Sequence, residues 1–318
     1  MTRAPFVAVF PLPFEVAAAA GMEPRLVRLF PGDLDGPASE AARGLDPRAL
    51  LLAGAAAASG ARPVWTGGAS DLKEIHGALL ARLGPGGARA FPWPLRPARE
   101  ELAGELQGFA CDLGLPGLEA AEEVYARDER ARGPLRDWER ECGEGPRPPC
   151  PAPLYRDTLA AVARQGVLAA PPRLPRVRAP RHAASSVRLG LLGGTELMVD
   201  LPERIEALGA RVAVDEWTWA CAHLAPSSDL AGRYLGLALP YGLEARARAM
   251  RALEEPRRLD GWVLVTSPFG ASNLERVGFP RWLGRPVLAL EADARRPLSG
   301  ADLLRLEAFH RGLQEARA

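Results

Sequence analysis

Residues 259–275 read LDGWVLVTSPFGASNLE, and this stretch decides the fold. Val263, Leu264 and Val265 form a short apolar run between Gly261 and Pro268, the signature of a buried parallel strand. The segment TSPFGAS leaves the carboxyl end of that strand, where open α/β sheets place their ligands. Ser267, Phe269 and Gly270 are therefore candidate ligand-binding residues. Downstream, Val287 to Leu290 reads as a second buried strand. Ser299 then starts a closing helix, with Asp302 three residues on in a capping-box arrangement. Leu303, Leu306, Phe309 and Leu313 fall on one face of that helix.

The same rhythm recurs upstream. Phe6 to Phe10 reads as a strand, and a helix follows with Pro13 at its entry, Glu15 in its first turn and Gly21 past its end. Strands are expected at Leu26 to Phe30 and at Pro63 to Trp65. The latter ends in TGGASD, which carries Ser70 and Asp71, and a helix is expected over 71–82. Ala49 to Ala58 fits a strand end or a helix equally well. A second unit opens with the strand Val187 to Leu192. GGTELMV then leads into a helix over 202–208, and a strand from Arg211 to Val214 ends in the loop DEWTWACAH. Strands alternating with helices imply parallel sheets.

Between the units the pattern changes. Leu102, Leu106, Phe109 and Leu113 recur at helical spacing, as do Leu135 with Trp138, and Tyr155, Leu159 and Val162. CGEGPRPPCPAP interrupts them as a proline-rich loop, and 171–186 is a Pro/Arg linker. The expected architecture is α/β: two Rossmann/flavodoxin-like parallel-sheet units with a helical insert between them. The boundaries are 1–95, 96–185 and 186–318, the last including the C-terminal helix.

Bulk properties narrow the function. At 318 residues the chain is long enough for two domains. Its net charge of +1 gives no broad attraction to nucleic acid or to an anionic membrane. No apolar run approaches the roughly 20 residues that span a bilayer. The apolar run before Glu15 is too short for a signal peptide, so a cytoplasmic location is expected. Cys111, Cys142, Cys150 and Cys221 are too scattered for a disulfide framework and form no C-x-x-C. Cys142 and Cys150 have seven residues between them and can pair with Cys111 at a metal, or all can be ordinary small residues.

The candidate chemistry lies at strand ends. Asp215 and Glu216 are adjacent, and Glu15 and Asp71 come from the first unit. The four form a candidate catalytic acid–base set if they face one interdomain cleft. The plainer alternative is that these acids cap helices and solvate loops. Gly193, Gly194 and Thr195, beside Trp217, are candidate ligand-binding residues. With Gly190 the glycines read G-x-x-G-G rather than the dinucleotide G-x-G-x-x-G, so a tight strand-to-helix turn competes with a nucleotide site. Trp217 and Trp219 suit stacking on a ligand or packing of an interface. His76, His182 and His310 are expected at the surface.

Three segments carry a family resemblance. PFEVAAAAGMEP, WTGGASDLKEIHGAL and the run from Leu259 through PVLALEAD to LSGADLLRLEAF resemble the (R)-2-hydroxyacyl-CoA dehydratase and benzoyl-CoA reductase subunits. In that family cysteines of the matching loops ligate an iron–sulfur cluster. Here Ser70 and Gly270 stand at two of those positions, and Leu50 to Pro63 holds no Cys at the third. The resemblance implies a subunit without its cluster, so no cofactor is expected and no metal. It implies an acyl-CoA-like small-molecule ligand and a homodimer or a heterodimer with a related subunit. A purely structural or interaction protein on the same fold, or an enzyme turned to acid–base chemistry, are the alternatives.

Overall fold

The computed structural model describes residues 5–8, 13–26, 62–67, 89–92, 98–145, 150–167, 170, 172–176, 186–222, 227–237, 242–266, 272–293 and 296–317. The helix expected over 71–82, residues 49–58, and the candidates Ser70, Asp71, Ser267, Phe269 and Gly270 lie outside them.

Two four-stranded sheets, parallel throughout, form the scaffold. The first contains β1 (Pro5–Ala8), β2 (Glu23–Leu26), β3 (Arg62–Gly67) and β4 (Arg89–Pro92), in the order β2-β1-β3-β4. Helix α1 (Phe14–Ala19) connects β1 to β2. Gly21, with φ of 73°, turns the chain after it in the left-handed region that glycine enters without steric cost. Of the strand expected at Leu26–Phe30, Leu26 closes β2, which starts at Glu23 directly after this turn, and residues 27–30 lie outside the described residues. β4 was not anticipated: RAFP carries too little apolar pattern to announce a strand.

Three helices follow: α2 (Arg99–Asp112), α3 (Glu119–Glu144) and α4 (Ala152–Gln165). The helical-spacing residues named above face inward, with Leu102, Leu106, Phe109, Leu135, Trp138, Tyr155, Leu159 and Val162 all buried. Helix α3 continues through Cys142 to Glu144, so the expected loop begins three residues later than CGEGPRPPCPAP suggests.

The second sheet repeats the order, β6-β5-β7-β8, from β5 (Arg188–Gly193), β6 (Arg211–Asp215), β7 (Gly261–Thr266) and β8 (Val287–Glu291). Helix α5 (Leu201–Ala207) joins β5 to β6. Helices α6 (Glu216–Cys221), α7 (Leu230–Leu235) and α8 (Leu243–Arg251) lie between β6 and β7. Helix α9 (Ser272–Trp282) precedes β8, and α10 (Gly300–Glu315) closes the chain. All six residues of β7 are buried, as its unbroken apolar run requires. β8 is only partly buried, a correction that follows from its place at the sheet edge with β7 as its one neighbour. The expected loop DEWTWACAH is a helical turn over Glu216–Cys221, because the Asp215 side chain accepts from the N–H groups of Trp217 and Thr218 and caps it.

Strand alternation splits the core over the two faces of the second sheet. Leu189, Leu191, Val263 and Val265 pack with Leu201, Ile205 and Leu306 on one face. Leu192, Val214, Trp262 and Leu264 pack on the other with Leu135 and Trp138 of α3, and this cluster continues to Phe14 and Phe91 beside the first sheet. The helical insert therefore shares a core with both sheets. α10 carries the expected capping box, with Ser299 Oγ accepting from the Asp302 N–H at 3.2 Å and Asp302 Oδ2 from the Ser299 N–H at 3.1 Å. Among the described residues no helix is long and apolar enough to cross a membrane.

Candidate functional site

The second sheet changes winding direction at β5. Its outgoing chain leads to β6 on one side, and the chain from β6 returns to β7 on the other. In open parallel sheets the crevice outside the carboxyl ends of such strands is the preferred ligand position. Gly193, Gly194 and Thr195 lie at this edge after β5, and Asp215, Glu216 and Trp217 lie there after β6.

Packing accounts for the glycines. Gly190 faces the Trp262 indole, and a Cβ there would collide with the ring. Gly193 has φ of 72°, and a Cβ there would collide with the Val265 carbonyl. The Gly194 N–H donates to that same Val265 oxygen at 2.8 Å. The chain then makes a short 3₁₀ turn, Thr195–Leu197, instead of the helix that opens a dinucleotide site.

Side-chain bonds tie the two strand ends together. The Thr195 hydroxyl donates to Asp215 Oδ2 at 3.3 Å, and the Gly193 N–H donates to Glu216 Oε2 at 3.2 Å. Asp215 Oδ1 takes the N–H groups of Trp217 and Thr218 at 3.1 and 3.3 Å, while Arg156 of α4 stands 3.8 Å from Oδ2. Glu216 is clamped by Arg246 of α8, whose Nε and Nη2 donate to its two oxygens at 3.0 and 2.9 Å. Arg246 also pairs with Glu275 of α9 and lies over the Phe279 ring, 5.3 Å from its centroid. Burial raises the Asp215 carboxyl above its ordinary range, against the opposing pull of Arg156 and the Thr218 N–H. Burial alone would lower Arg246, but Glu216 and Glu275 outweigh it and hold the guanidinium charged.

Glu15 has a different set of partners. It is fully buried and accepts from Arg233 Nη1 and from the Tyr234 hydroxyl of α7, each at 2.5 Å. The Tyr234 oxygen in turn accepts the Phe14 N–H at 3.1 Å. Arg233, itself fully buried, also bonds Asp128 and Glu129 of α3 and stacks over Tyr125 at 4.6 Å. Arg132 bonds Asp128 at 2.7 Å and donates to the carbonyls of Ala222 and Gly166. Burial pulls Arg233 down, yet Glu15 and Asp128 outweigh it and the guanidinium stays charged. Burial and the neighbouring Glu15 push the Tyr234 phenol well above its usual range.

The candidate acids therefore fall into two groups: Asp215 and Glu216 meet at the sheet edge, and Glu15 ties α1 to α3 and α7. Arg156, Arg233 and Arg246 escaped the sequence reading, since nothing local distinguishes them from the other arginines. The available signal was indirect: an acid on an apolar helix face needs a buried cation. His310, expected at the surface, is buried on α10 because it follows Leu306 by four residues on the core face. Among the described residues no cluster of His, Cys, Asp and Glu is arranged to hold a metal ion.

No family model matches the chain, and no curated protein matches it. This overturns the membership expected from the dehydratase and reductase resemblance, whose motifs are short segments of apolar and turn residues that α/β chains share. Among solved structures, a match is the SBP FpvC from P. aeruginosa in complex with a Ni2+ ion, at 14% identity over 100% of this chain and 99% of that one. Its TM-score is 0.27, too low to bear on fold or function.

Proposed function

We propose that this chain is a binding protein built from two Rossmann/flavodoxin-like units, divided near 95 and 185, with a small-molecule site at the carboxyl edge of the second sheet. A cytoplasmic location belongs to this proposal. The observation that carries it is the engagement of the acids. Asp215 and Glu216 already accept from backbone N–H groups, a hydroxyl and a guanidinium. A general base needs a free lone pair near its working pH, so these residues support loop positioning rather than proton transfer. Among the described ion pairs at the edge, Asp215, Glu216 and Glu275 against Arg156 and Arg246 leave an excess of one negative charge (three carboxylates, two guanidiniums), which favours a neutral or cationic ligand over a phosphate. Thermal-shift measurements with nucleosides, neutral sugars, amino acids and polyamines, with mononucleotides as the anionic arm, test this. A stabilising neutral or cationic compound whose effect is lost in Thr195→Val is expected. Stabilisation by the mononucleotides alone, or by no compound, overturns it.

One observation favours interaction with another chain as a second reading. Leu274 and Val277, one helical turn apart on α9, are 65% and 70% exposed. If a homodimer or related heterodimer forms through this face, Leu274→Ser with Val277→Ser lowers the mass measured by light scattering to that of one chain.

A further inference from the structure

Helix α3 ends and α4 begins around two cysteines that neither networks nor candidate site use. Cys142 sits in the last turn of α3, and Cys150 stands two residues before α4. Their sulfurs are 4.0 Å apart, and the residues are 4% and 2% exposed. The helix ends that carry them are fixed from outside. Arg211 of β6 donates to the carbonyls of Cys142 and Gly145, and Arg188 of β5 donates to that of Gly143, so two cations cap the carboxyl end of α3. On the other side, the Ala152 N–H donates to Glu206 Oε1 at 2.7 Å and anchors the start of α4. The two thiols are thus held against each other by groups that are not themselves redox-active.

We propose that Cys142 and Cys150 form a redox-active dithiol that closes reversibly to an intramolecular disulfide. A disulfide needs sulfurs about 2.05 Å apart, so closure requires a shift of about 2 Å between adjoining helix ends. The shift therefore goes through local opening of the helix ends that Arg188, Arg211 and Glu206 hold, and the same opening admits the oxidant to the buried sulfurs. The oxidant is a small disulfide such as oxidised glutathione. The Cys150 thiolate attacks one of its sulfurs, forming a mixed disulfide and releasing one glutathione thiolate. Cys142 then loses its proton and attacks the Cys150 sulfur, forming the Cys142–Cys150 bond and expelling the second glutathione. The protein loses two electrons and two protons, and two molecules of reduced glutathione form. Cys150 is suited to the first step: its contact with the Cys142 sulfur lowers its pKa, while burial opposes this. The same contact, with burial, pushes Cys142 up and assigns it the later step.

The consequence lies in α4. Its Arg156, six residues after Cys150, reaches Asp215 at the carboxyl edge of the second sheet. Locking the start of α4 to α3 therefore restrains an element of the candidate site, although the dithiol stands whether or not that site binds a ligand.

The test uses the full chain, treated with oxidised glutathione under native conditions, then unfolded and alkylated. Two fewer alkylatable thiols than in the reduced protein, a peptide linking Cys142 to Cys150, reversal by dithiothreitol and a melting midpoint raised by a few degrees are expected. Cys142→Ala and Cys150→Ala should each abolish the linked peptide, with circular dichroism reporting whether each variant folds. Cys111→Ala, at an exposed position, should leave the linked peptide unchanged. A full thiol count after treatment, glutathione retained on Cys150, or cross-linking only through Cys111 or Cys221 overturns the proposal.

Discussion

Gly190 lies in the middle of β5 under the Trp262 indole, which is fully buried and donates from Nε1 to Glu254 Oε1 at 2.9 Å. Gly190→Ala forces a methyl group into that ring, and neither β5 nor β7 can yield inside a four-stranded sheet. A loss of roughly 2–3 kcal/mol is expected in urea denaturation, with most of it recovered by Trp262→Leu in the same chain. A loss that Trp262→Leu does not relieve would mean the ring is not what Gly190 makes room for. His310 shows the opposite case. Its Nε2 is buried and has no hydrogen-bond partner among the described residues, and burial lowers its pKa below 6.5. A lowered folded-state value means that the unfolded chain binds the proton more tightly. The neutral ring's contribution is therefore fully present above about pH 6.5 and is lost as pH falls towards and through the folded value. His310→Leu removes both the unsatisfied atom and the titration. The variant is expected to gain roughly 1 kcal/mol near neutrality and more at pH 5, read as a difference between two denaturation midpoints. A midpoint difference that does not grow between pH 7 and pH 5 contradicts this. The Gly190–Trp262 match could not be read from sequence, because strand pairing between distant segments decides it. His310 could have been read: it follows Leu306 by four residues and precedes Leu313 by three, which places it on the apolar stripe.

At the scale of elements, local signals were legible and partner choice was not. Pro13 before α1, Gly21 past its end, and Ser299 with Asp302 all act where the sequence places them, because capping depends on residues within one turn. Asp215 was legible as a strand-end acid, but its role as the cap of α6 follows from side-chain geometry. The sets around Arg233 and Arg246 draw residues from across the chain, and no spacing rule encodes them. Their energetic weight is testable. Arg233 pairs with Glu15 and Asp128, which are fully buried, so Arg233→Met takes from Glu15 the guanidinium that faces it, while Asp128 keeps Arg132. Removing one partner of such a set costs about 3–5 kcal/mol. Arg233→Met is expected to approach that loss, and adding Glu15→Gln to it should return about half. If the double variant is no more stable than Arg233→Met alone, the charge on Glu15 is not the cause. The clamp on Glu216 makes a smaller claim. Arg246→Gln should cost less, about 2 kcal/mol, because Arg246 is itself partly exposed and Glu216 keeps the Gly193 N–H.

At the scale of the whole molecule, the boundary read near residue 185 meets a shared core. The composition shift at the Pro/Arg linker suggests an independent unit from 186 onward. Yet Leu192, Val214, Trp262 and Leu264 on one face of the second sheet pack in the cluster that holds Leu135 and Trp138 of α3. Polar groups cross the same boundary: Arg257 bonds Glu139 bidentately at 2.7 and 2.9 Å and also donates to the Ala213 carbonyl, while Arg188 and Arg211 cap the end of α3. A fragment of residues 186–318 would expose that apolar face, leave Arg188 and Arg211 without their acceptors on α3 and take Glu139 from Arg257, each a cost of about 1–3 kcal/mol. Domain stabilities are only about 5–15 kcal/mol, so these losses together with the exposed apolar face take up most of that margin. The fragment is therefore expected to show no cooperative urea transition and to bind a hydrophobic dye. Residues 96–318, which restore α2 to α4, are expected to unfold in one cooperative step. Leu135→Ala in the full chain, at a fully buried position, should lower the midpoint seen by far-ultraviolet dichroism and by tryptophan fluorescence equally. A cooperative transition of the 186–318 fragment close to that of the full chain would show that the second sheet folds without α3, and that the cluster joining them adds little to its stability.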